Sequence, residues 1–75
     1  MVTVSYNRNY YSQYPARDEW LIETIGTGNY GSHIREGMKW CSYEAFGHWQ
    51  YRFVNEADAM LFILKWPGAN DIIRD

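Results

Sequence analysis

Residues 38–66 hold the pattern that most restricts the fold. Cys41, Tyr43 and Ala45 share one parity ahead of Gly47, and Trp49, Tyr51 and Phe53 share one after it. Ser42, Glu44, His48, Gln50 and Arg52 fill the complementary positions. Alternation of period two is the mark of strands with one covered face. A glycine between two such runs makes them an antiparallel hairpin, turning near Ala45 to His48. On this reading Cys41, Tyr43 and Ala45 join Trp49, Tyr51 and Phe53 on the core side, while Trp40 and Phe46 interrupt the polar face. A helix follows at once. Asn55 can cap it, Asp58 can return the bond as in a capping box, and Glu56 with Asp58 place negative charge at the positive end of the helix dipole. Ala59, Phe62, Ile63 and Trp66 recur at helical spacing, Met60, Leu61 and Leu64 widen the apolar arc, and Trp66-Pro67-Gly68 stops the helix.

The remaining segments complete an α+β plan. Val2, Val4, Tyr6 and Tyr10 share one parity in a strand from Val2 to Tyr10. Pro15 to Ile25 reads as a short helix, with Pro15 in its first turn and Asp18-Glu19 near its N-terminus. A strand through Trp20 to Ile25 is the alternative, because the segment is rich in β-branched residues. Gly26 to Gly37 reads as a long loop, and Ile72-Ile73 can add a short edge strand. The order β-α-β-β-α, with an optional last strand, is the ferredoxin-like order. With the strand alternative, the result is a four-stranded antiparallel sheet crossed by one C-terminal helix. Either way the expectation is one α+β domain over residues 1–75: a small antiparallel sheet with the C-terminal helix packed on one face.

A chain of 75 residues buries only roughly 60 % of the surface that its unfolded form exposes, so its core is thin. Small domains compensate with disulfides, metal, self-association or dense packing. Cys41 is the only cysteine, which rules out a disulfide framework. Cys41, His33 and His48 lack the paired spacing of a zinc site, so neither metal nor cofactor is expected. What remains is four Trp, seven Tyr and three Phe, each ring able to bury about 150–250 Å². The broad apolar arc of the last helix adds the expectation of a homodimer. The net charge is −2 with no run of Lys or Arg, which argues against nucleic acid as a partner. Residues 1–10 lack the apolar segment of a signal peptide, and the apolar run Ala59 to Leu64 is too short to span a bilayer. A soluble, cytoplasmic protein is expected.

No catalytic constellation emerges. Gly26-Thr27-Gly28-Asn29-Tyr30-Gly31 suggests a phosphate loop, but Ser32 and His33 follow where such a loop requires a lysine. Cys41 with His33 or His48 is the one conceivable dyad, and its assigned core parity makes Cys41 a packing residue. Asp18, Glu19 and Glu23 read as a solvated helix turn. The stripe Trp49, Tyr51, Phe53 reads as core and not as a base-stacking platform, because the basic-Gly-aromatic signature of such platforms is absent. Trp40, exposed on the polar hairpin face beside His48 and Arg52, has the composition of an interface hot spot. Tyr30 on the glycine-rich loop is the further candidate contact. The expected site is therefore a protein-binding one: Trp40, His48, Arg52 and Tyr30.

The stretch from Trp49 to Trp66 runs from an aromatic strand (Trp49-Gln50-Tyr51-Arg52-Phe53) through an acidic cap (Asn55-Glu56-Ala57-Asp58) into a helix ending Leu64-Lys65-Trp66. It resembles a pattern in small accessory proteins of tailed bacteriophages. The resemblance implies an accessory or host-directed role, in which such proteins inhibit host defence proteins by binding them, within the host cytoplasm. The leading expectation is thus a non-catalytic, phage-encoded protein-binding factor. A small-ligand or nucleotide binder, using Arg35 or Arg52 on a phosphate, and a small phage structural or assembly protein are the alternatives.

Overall fold

Phe46 and Gly47 form a two-residue turn, and that turn sets the register of the central hairpin. The computed structural model describes residues 1–7 and 14–74. Within it β3 (Trp40–Ala45) and β4 (His48–Phe53) pair antiparallel, with Ala45 opposite His48 and Trp40 opposite Phe53. Both turn residues have positive φ, 54° at Phe46 and 76° at Gly47, as a tight turn matched to strand twist requires. A two-residue turn pairs even positions on one strand with odd positions on the other. Trp40, Ser42 and Glu44 therefore share a face with Phe53, Tyr51 and Trp49. This corrects the expected parity of β3: Cys41, Tyr43 and Ala45 lie on the opposite face, with Arg52, Gln50 and His48.

The other elements are β1 (Val2–Asn7), α1 (Tyr14–Thr24), β2 (Gly28–Tyr30), α2 (Glu56–Lys65) and β5 (Asp71–Arg74). The sheet order is β2-β3-β4-β1-β5. β1 sits between β4 and β5, antiparallel to both. The order β3-β4-β1-β5 with intervening helices is the ferredoxin-like arrangement expected from the sequence. Helix, not strand, forms over the segment after Pro15. The expected strand beyond Asn7, including Tyr10, lies outside the described residues.

The glycine-rich segment departs from expectation. Gly28–Tyr30 is a strand, parallel to β3, with Gly28 opposite Trp40, so the sheet is mixed. The cause is Trp40. Its indole Nε1 donates to the Gly26 carbonyl at 2.8 Å, and a Cβ on Gly28 would lie 2.2 Å from the indole ring. Only a residue without a side chain lets the strand lie against that ring.

The helices cover the face that carries Val2, Val4, Tyr6, Trp40, Trp49, Tyr51 and Phe53. α2 contributes Ala59 and Phe62, and α1 contributes Leu21 and the half-buried Trp20. Phe62 touches four rings, with centroids 4.8 Å away at Tyr51, 5.2 Å at Phe53, 5.7 Å at Tyr6 and 6.1 Å at Trp20. Asn55 occupies the position before α2 in an extended conformation, but its side chain makes no capping hydrogen bond. The expected capping box is therefore not formed. The first turn still carries Glu56 and Asp58 and the last turn Lys65, each of favourable sign for the helix dipole.

A cation lies between α1 and the sheet. Arg17 is fully buried, with its guanidinium carbon 4.8 Å from the Tyr6 ring centre and 5.4 Å from that of Tyr51. Its Nε donates to the Tyr51 hydroxyl at 3.0 Å, and that hydroxyl donates to Asp18 Oδ1 at 3.2 Å. Asp18 is thus half-buried on the core, which corrects its reading as a solvated acid, whereas Glu19 and Glu23 are exposed. Two aromatic faces and a carboxylate relayed through Tyr51 offset part of the cost of burying the charge, while Nη1 and Nη2 have no hydrogen-bond partner among the described residues. The Tyr6 hydroxyl meanwhile donates to the Trp66 carbonyl at 2.5 Å, closing the end of α2 onto β1.

Two tests follow from this packing. Gly28→Ala should lower stability by about 1–3 kcal/mol or more, through overpacking. A fall in the urea midpoint at constant slope would show it, and an unchanged midpoint would remove the Trp40–Gly28 contact. Burial pushes the Tyr6 hydroxyl up to about 12, and burial, followed by the Asp18 charge, pushes Tyr51 upward as well. An unfolded tyrosine titrates near ~10. The folded chain therefore holds both protons more tightly. The stability they contribute is fully present below about pH 10 and is lost as the pH rises through the folded value. Phenolate absorbance from these two residues should appear together with loss of far-ultraviolet circular dichroism; their ionisation near pH ~10 in the folded chain would contradict it.

Candidate protein-binding surface

The expected hot spot at Trp40 is not at the surface. Trp40 is 3 % exposed, packed against Gly28 and within 6.3 Å of the Tyr51 ring centre. The misassigned parity of β3 put it on the polar face. It is a core residue on the helix-covered side, and no binding role rests on it.

Arg52 lies on the face away from the helices, opposite Cys41 and Thr3. Its Nη1 donates to the Ser32 carbonyl at 2.8 Å, which holds the loop over residues 31–37 against the sheet. Asn29 secures the same loop from inside: its Nδ2 donates to the His33 carbonyl at 2.8 Å and its Oδ1 accepts from the Arg35 backbone N–H at 3.0 Å. Cys41 is buried on this face, not on the face expected. Burial, partly opposed by the Arg52 charge, pushes its thiol upward, so it is a poor thiolate at neutral pH.

Tyr30 and His48 lie on opposite faces of the sheet: Tyr30 is in register with Ser42 on the helix-covered face, and His48 shares the other face with Ala45 and Arg52, beside the hairpin turn. Tyr30 is 68 % exposed on the edge strand β2, and its ring leans towards Trp49 at 6.1 Å between centres. His48 begins β4, paired with Ala45 and Asn7. It is half-buried, and its Nδ1 has no hydrogen-bond partner among the described residues. In the turn between the hairpin strands stands a residue expected, with Trp40, to interrupt the polar face. Phe46 is 94 % exposed, with φ 54°. The left-handed region costs a residue with a Cβ roughly 1–2 kcal/mol, and this turn position favours Asn, Asp or Gly. Here a large apolar ring occupies a strained position with almost none of its surface covered. The sequence signal was present: an aromatic directly before a turn glycine, where an asparagine would be the unstrained choice.

Arg52 therefore serves the loop, and of the residues expected to bind only His48 stands beside Phe46 at the hairpin turn. The described residues hold no group of His, Cys, Asp or Glu able to bind a metal ion, and none of their helices is long and apolar enough to cross a membrane. No family model, curated protein or solved structure matches the chain.

Truncation separates the two aromatic residues. Trp40→Ala should cost about 3–5 kcal/mol, or a fall in Tm of roughly 15 °C or more for a domain of this size. A Tm within a few degrees of wild type would return Trp40 to the surface.

Proposed function

We propose that the chain is a non-catalytic protein-binding factor whose anchor is Phe46 at the tip of the β3–β4 hairpin. The observation that supports it is the coincidence of near-complete exposure with positive φ at a phenylalanine. Strain of this kind collects at functional positions, and an aromatic knob on a rigid hairpin suits a partner's pocket as a hot spot. His48, at the start of β4 beside the turn, extends the contact to a polar rim. The resemblance to small tailed-phage proteins gives this reading its setting: a cytoplasmic accessory factor that inhibits a host protein or defence complex by occupying its surface. The same reading makes the factor a homodimer, because α2 is apolar on both sides.

Phe46→Asn tests the anchor without dismantling the hairpin. Asn-Gly is the preferred pair for this turn, so the variant should be more stable by about 1 kcal/mol. It should lose partner affinity by about 2 kcal/mol or more, the scale of a hot spot. Immobilised wild-type chain and Phe46→Asn chain would be used side by side to capture proteins from bacterial lysate. A protein retained by the first and released by the second is the expected result. Equal retention by both, or none by either, refutes the reading.

A further inference from the structure

α2 turns Ala59 and Phe62 inward and leaves a second apolar face outside. At about 100° per residue, Ala57, Leu61 and Leu64 fall within roughly 60° of arc on that face, with Met60 at its flank. Leu64 is 76 % exposed and Leu61 50 %. Charges border the stripe in an ordered way. Asp58 and Lys65 lie on one flank, about two turns apart. Glu56 lies on the other, tied to Arg74 Nε on β5 at 3.0 Å.

We infer that this face binds the same face of a second copy, with the two α2 helices antiparallel about a two-fold axis through Met60 and Leu61. It rests on the reading of the chain as a self-associating binding protein, and it assigns the surface and its geometry. Three features single out a second copy as the occupant. First, the two-fold axis exchanges position 57 with 64, so the most exposed leucine of each helix seats on the small Ala57 of the other. Second, an antiparallel two-fold brings like flanks together with their ends reversed. Asp58 of each copy then meets Lys65 of the other, in two symmetric ion pairs. A parallel two-fold would instead bring opposite flanks together, with Asp58 of each copy facing the flank that carries Glu56 of the other, acid towards acid, so charge favours the antiparallel form. Third, the helix dipoles oppose in the antiparallel form and align in the parallel one. A ten-residue helix offers a seam only about 15 Å long. The contact is at the small end of specific interfaces, and its dissociation constant is expected in the micromolar range.

Sedimentation equilibrium on the full chain, from low-micromolar to sub-millimolar concentration, tests this directly. The wild type should pass from monomer to dimer. Leu61→Lys should stay monomeric at every concentration while keeping the wild-type circular dichroism spectrum. Lys65→Asp should weaken the dimer at least tenfold, and Asp58→Lys combined with Lys65→Asp should restore it. Restoration by the double reversal is the result that a merely damaged helix could not give. A monomeric wild type overturns the inference, and so does a dimer indifferent to Lys65→Asp or one that the double reversal fails to rescue. The Phe46→Asn chain should dimerise like wild type. If the wild type proves monomeric yet still captures a protein through Phe46, self-pairing is wrong and the binding reading stands. If it dimerises as described but captures nothing, the reverse holds.

Discussion

Phe62 is the contact on which the two layers depend. It meets β1, β4 and α1 together, through Tyr6, Tyr51, Phe53 and Trp20. A domain this small has a total stability of roughly 4–11 kcal/mol, comparable with the about 3–5 kcal/mol that a buried aromatic of this kind supplies. The residues that Phe62 gathers also carry the polar part of the core. Tyr6 and Tyr51 press their faces against Arg17, and their hydroxyls reach outward to Trp66 and Asp18. Hydrophobic closure and the hydrogen bond of the buried cation, from Arg17 Nε to Tyr51, thus occur at the same rings.

Much of this was legible in the sequence, and the misses have definite causes. The aromatic stripe of β4, the apolar spacing of α2 and its stop at Trp66-Pro67 all appear where local pattern puts them. The fold class follows, because period two and period 3.6 are properties of the segments themselves. The face of β3 was misread because parity within a strand says nothing about its partner; the turn length decides that. Two turn residues, Phe46 and Gly47, pair 45 with 48 and reverse the face of Trp40. The position of the turn was correct, and the register followed from it by arithmetic. By contrast, β2 is three residues long and exists through a contact with an indole distant in sequence. Arg17 is buried by rings from two strands. Non-local causes of that kind leave no periodic trace.

The candidate surface follows the same division. His48 and Tyr30 were identified by residue type; the fold sets His48 beside the turn and Tyr30 in register with Ser42, away from it. Arg52 was identified the same way and is engaged with Ser32 instead. Trp40 was selected as an aromatic among polar neighbours, and its neighbours proved to be on the other face. Phe46 is the opposite case. Its exposure and backbone conformation become visible only when the turn closes, although the mismatch between an aromatic and a turn position was written in the chain.

The place of β1 has a consequence for how the chain is made. It is the first strand in sequence, yet it lies inside the sheet, flanked by β4 and β5. During synthesis both of its edges stay open until residues 48–53 and then 71–74 have left the ribosome. Val2, Val4 and Tyr6 are without their cover for most of that time. An unpaired apolar strand of this kind is what holding chaperones recognise and what drives nascent chains to associate. Polar Thr3 and Ser5 between the apolar positions limit that hazard, since only one side of the waiting strand is adhesive. β5, the last strand to be made, is also the shortest route to losing β1 again: it is the edge strand, and fraying at residues 71–74 re-exposes one side of β1, the next strand in.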